Sequence, residues 1–82
     1  MNRTGIFSGT WNESQEINVP ISIFNEGEHV IVHCPAWDIS GYGNTEDEAK
    51  DSFVIVMTEV FKESIYKGSF VEFNTINFTI HV

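Results

Sequence analysis

The sequence predicts an α+β domain: a β-β-β-α-β two-layer sandwich, with one long helix over about residues 45–67 on one face of a mainly antiparallel sheet. Three observations carry that expectation. Residues 17–23 alternate apolar and polar, the period of a half-buried strand. A compact turn at Asn25-Glu26-Gly27-Glu28 leads straight into a second apolar run, His29 to Cys34. Residues 45–67 place apolar groups at helical spacing between a capping Thr and a Gly.

Each element has its own warrant. Met1 to Gln15 is polar and interrupted by Gly5 and Gly9, so residues 1–15 are expected to form a loosely ordered lead-in. Its Ile6, Phe7 and Trp11 are expected to dock on the domain or on a neighbouring subunit. Residues 16–82 then form a single domain, because a chain of 82 residues cannot divide its apolar groups between two cores. In the first strand Ile17, Val19, Ile21 and Ile23 share one face. Pro20 has no amide hydrogen, which puts this strand at an edge or aims that position away from the ladder.

After the turn, Val30, Val32 and Cys34 face one way and His29, Ile31 and His33 the other. Pro35 ends this strand, and residues 37–42 read as a turn running into a short third strand. Gly43 and Asn44 break the chain. Thr45 is the natural N-cap, and Glu48 three residues on completes a capping box. Glu46, Asp47 and Glu48 complement the positive end of the helix, and Lys67 the negative end. Ala49, Phe53, Val56, Met57, Val60, Phe61, Ser64 and Ile65 fall on one stripe, while Glu46–Lys50 and Glu63–Lys67 are favourable pairs one turn apart. Gly68 is placed to stop the helix. In the last segment Val71 and Phe73 share one parity, whereas Ile76, Phe78, Ile80 and Val82 share the other. A bulge or bend at Asn74-Thr75 is therefore expected.

Charge narrows the classes of function. Four basic residues against twelve acidic ones give −8, a field that repels phosphate backbones and anionic membranes and attracts a basic protein. Neither direct nucleic-acid binding nor membrane binding is expected. Cys34 is the sole cysteine and sits among apolar neighbours, which fits a buried small hydrophobe. No segment has the length of a membrane span or the pattern of a signal peptide, so a cytoplasmic location is expected.

The residues that bear chemistry do not assemble into a recognisable catalytic pattern, and no cofactor is implied. The carboxylates of Glu46, Asp47, Glu48 and Asp51 fan around the start of a helix, which suits capping and solvation. His29 and His33 lie on one face of a strand, more than a dozen ångströms apart at a rise of about 3.3 Å per residue, too far to share one metal ion. A binding role is left. Glu26, Glu28 and Asp38 lie on loops flanking the second strand, with Trp37 and Tyr42 nearby, and aromatic anchors beside acidic residues suit a basic partner. Trp37 has a competing role, closing the end of the core, and solvated loop positions would equally explain the acids.

The run from His29 to Phe53 resembles the HicB-like antitoxins of type II toxin–antitoxin systems. The matching positions are Cys34-Pro35, Asp38-Ile39, Gly43, Thr45, Glu48 and Ala49, and the likeness extends over residues 19–64. It implies a degraded RNase H-like fold without nuclease carboxylates. It also implies a partner, a small basic HicA-like mRNA interferase whose active site the antitoxin covers. Many members carry a C-terminal DNA-binding module, whereas this sequence ends in strand pattern. The alternative from another class is a solitary homo-oligomeric structural domain with no toxin partner. In it, a sheet edge or the terminal strand pairs with a second copy. Dimerisation is compatible with both readings.

Overall fold

The computed structural model describes residues 2–11, 15–64 and 73–81. Its strands are β1 (Arg3–Trp11), β2 (Gln15–Glu26), β3 (His29–Cys34), β4 (Ile39–Gly43) and β5 (Phe73–Ile80), with a single described helix, α1 (Glu46–Ser64), between β4 and β5. The sheet order is β4-β3-β2-β1-β5 and every pairing is antiparallel. This is the expected α+β two-layer arrangement, with one strand more than the sequence pattern gave.

The additional strand is the N-terminal segment. The sequence placed a loose lead-in over residues 1–15, but Arg3–Trp11 runs between β2 and β5. The reason the pattern misled is physical. The inward-facing row of β1 is Gly5, Phe7 and Gly9, so two of its three positions show no apolar side chain. A Cβ at Gly5 would fall inside van der Waals contact with the Thr79 carbonyl oxygen of β5. Close approach of two backbones removes the side chains whose alternation would mark a strand.

Between those glycines Phe7 is fully buried and gathers the aromatic core. Its ring centroid lies 5.3 Å from Phe53, 5.8 Å from Phe73 and 5.1 Å from Phe78, at angles that bring ring edges toward faces. Ile17, Val19, Ile21 and Ile23 of β2, Val32 and Cys34 of β3 and Ile39 of β4 complete the sheet side of the core. From α1 come Ala49, Phe53, Met57 and Phe61, one residue per turn. Val56 and Val60 pack at the margin of that stripe.

Backbone hydrogen bonding explains how a proline fits in a long strand. The His81 amide donates to the Thr4 carbonyl at 2.8 Å, so alternation along β1 directs Thr4, Ile6, Ser8 and Thr10 toward β5. Ile6 is opposite Pro20, and Pro20 therefore needs no amide hydrogen toward β1. On its other side the β2–β3 ladder begins only at Ser22. Pro20 sits where β2 is locally an edge, which meets the expectation drawn from its chemistry.

The β2–β3 hairpin closes on the Glu26–His29 pair, with Gly27 at a φ of 61° as its first turn residue. The expected bend in the last strand is present as a shift in register: Thr10 pairs with Thr75 and Trp11 with Phe73, leaving Asn74 as the additional residue. That shift puts Phe73 and the Phe78–Ile80 row on the same side of the sheet. The expected C-terminal end of the helix, with Lys67, Gly68 and the Glu63–Lys67 pair, lies outside the described residues, as does Val71.

Candidate functional site

The start of α1 fixes the geometry around β4. Thr45 Oγ1 accepts from the Glu48 amide at 3.2 Å, and the first helical bond runs from the Ala49 amide to the Thr45 carbonyl at 3.0 Å. Glu48 Oε1 reaches back to accept from the Asn44 amide at 3.3 Å. Strand and helix meet without a spacer, because Gly41 lets the β4 backbone lie directly against Phe53. The amide of Tyr42, which points away from β3, donates to Ser52 Oγ at 3.3 Å. The helix therefore caps the outer edge of β4 as well as its face.

Of the five residues the sequence marked for partner binding, three lie at one end of β3 and two at the other. Glu26 ends β2 and Glu28 is the second turn residue of the hairpin, and Tyr42 stands across the sheet from them beside His29, ring centroids 6.1 Å apart. Tyr42 is 64 % exposed, so its ring is available to a partner. Trp37 and Asp38 belong to the β3–β4 turn, separated from the hairpin by the length of β3, roughly 17 Å. Trp37 packs on Phe61 of the helix with centroids 5.0 Å apart and remains 37 % exposed. The ring covers the end of the core while offering an outer surface. Asp38 adopts a φ of 52°, a left-handed conformation that a short polar side chain tolerates better than most.

A third surface was not marked in the sequence. Ile55 lies on the outward face of α1 and is 65 % exposed, with Asp51 and Glu59 one turn to either side. The signal was present: Ile55 falls between Phe53 and Met57 and off their stripe. The apolar count of the helix conceals it.

Electrostatics unite these surfaces. Arg3 and Lys50 both engage Glu46, Lys50 Nζ at 3.1 Å, and Lys50 also lies over the Phe78 ring at 5.4 Å. Among the described residues, Glu26, Glu28, Asp38, Asp47, Asp51 and Glu59 make no ion pair. Among the described residues, these acids on the turns and on the helix have no cationic partner.

The sheet face away from α1 has a different character. His33 Nδ1 and Ser40 Oγ are 2.6 Å apart, and Ser8 Oγ donates to Asn18 Oδ1 at 2.7 Å. A shallow depression of about 240 Å³ lies there among Ser8, Thr10, Glu16, Asn18, Thr75 and Asn77. None of the residues marked in the sequence lines it. Among the described residues no group of three or more His, Cys, Asp or Glu side chains converges as metal ligands would. No described helix is long and apolar enough to cross a membrane.

No family model, no curated protein and no solved structure matches the chain.

Proposed function

We propose that this chain is a HicB-like antitoxin domain of the cytoplasm that binds and occludes a small basic mRNA interferase, acting by binding and not by catalysis. The observation that carries the reading is an acidic surface whose carboxylates have no cationic partner among the described residues. Exposed carboxylates on the hairpin, on the β3–β4 turn and along α1 stand beside exposed Tyr42, Trp37 and Ile55. Aromatic or apolar anchors within an acidic rim suit a partner rich in Lys and Arg. The same surface disfavours direct contact with nucleic acid.

The resemblance to HicB-like antitoxins supplies the identity of that partner. Its positions have structural duties here. Cys34 fills the core, Gly43 leads into the cap, and Thr45, Glu48 and Ala49 begin the helix. The resemblance therefore speaks for the scaffold, and the charge speaks for the partner. We place the first contacts at Glu26, Glu28 and Tyr42, where acids and an open ring share one end of the sheet.

A pull-down of the tagged chain from its native lysate, at low and at moderate salt, tests the reading. The expected result is a small basic protein released by salt. The double variant Glu26→Lys with Glu28→Lys should weaken its capture at least ~10-fold, each tenfold being about 1.4 kcal/mol. Retention of the chain alone at low salt would overturn the reading.

A further inference from the structure

We propose that the outer edge of β5 is a docking surface for the same edge of a second copy of this chain, the two strands pairing antiparallel about a two-fold axis. The backbone gives the first argument. Alternation counted from the His81–Thr4 bond directs His81, Thr79, Asn77 and Thr75 toward β1. The amides and carbonyls of Ile76, Phe78 and Ile80 therefore point away from the sheet, and among the described residues nothing accepts from or donates to them. The opposite edge differs: β4 has five residues, and its Tyr42 amide is already bonded to Ser52.

Charge selects the occupant. Phe73 to Ile80 contains no ionisable side chain, in a chain whose net charge is −8. Edge strands that must stay solitary usually carry charge or proline. A basic partner finds no counter-charge here, whereas a second acidic copy meets the least repulsion along this strand. One strand paired antiparallel with itself is self-complementary, as a two-fold contact requires.

The core gives the third argument. Phe78 and Ile80 pack against the core, Phe78 in ring contact with Phe53 and under Lys50 of α1, and Ile76 continues their row at its margin. Ile76 is 41 % exposed. A two-fold axis perpendicular to the sheet keeps both helices on the same face. The two rows then meet between the helices and shield each other.

The surface is independent of the partner proposed above, which we place at the hairpin. Sedimentation of the full chain at micromolar concentration, with residue-resolved amide exchange, tests it. The expected mass is twice the 9.3 kDa of one chain, with Ile76, Phe78 and Ile80 amides protected in proportion to dimer. Ile76→Lys adds a charge to the edge, and Ile76→Pro removes an outward donor without removing a bond to β1. Each should raise the dissociation constant at least ~10-fold while far-UV circular dichroism stays unchanged. A monomer at all concentrations would overturn the proposal. So would a dimer whose β5 amides exchange freely and which survives both substitutions.

Discussion

Phe7 is the residue at which the N-terminal strand, the helix and the C-terminal strand meet. Its ring touches Phe53, Phe73 and Phe78 and is fully buried, so truncation leaves a cavity that three other rings cannot fill without leaving their own contacts. Phe7→Ala should lower the unfolding free energy by ~3–5 kcal/mol in urea titration at fixed protein concentration. Gly41 makes the opposite case. A methyl group there meets the backbone of Phe53, which cannot rotate away as a side chain would. Gly41→Ala should cost ~1–3 kcal/mol in the same titration. Thr45 and Glu48 were legible in the sequence because a cap is written in local chemistry. Phe7 was legible only as a large apolar group expected to dock, because its central place comes from three residues far away in the chain.

At the scale of elements, legibility follows the same division. The hairpin, the helix start and the bulge near Asn74 each depend on neighbouring residues, and each was visible in their pattern. Strand β1 depends on β5, more than sixty residues distant, and its inward glycines answer to that contact alone. The residues proposed for partner binding show the same limit. Glu26, Glu28 and Tyr42 come together through strand register, while Trp37 and Asp38, nearer to Tyr42 in sequence, lie at the far end of β3. A central strand also carries a consequence for folding. Removing residues 1–11 takes away the only described strand to which β5 is bonded and leaves β2 unpaired along residues 15–21. The truncated chain should lose cooperative thermal unfolding and show rapid amide exchange in β5. Retention of a native, cooperatively melting sheet would contradict the central placement of β1.

Across the whole molecule the charges and the apolar surfaces are sorted. Among the described residues, the acids without an ion pair lie on the hairpin, on the β3–β4 turn, along α1 and, at Glu16, on β2, Arg3 and Lys50 both engage Glu46, and β5 has no ionisable side chain. That division is the ground for proposing a basic partner on one surface and a second copy of the chain on another. The charge was legible from composition, but its distribution required the fold. We propose that this acidic surface silences a basic ribonuclease. The most direct measurement is RNA cleavage by the captured basic protein, titrated with the purified chain at low and at moderate salt. Stoichiometric loss of cleavage is expected at low salt, with inhibition relieved as salt weakens the complex. Cleavage that persists with excess chain, or a captured protein with no action on RNA, would contradict it.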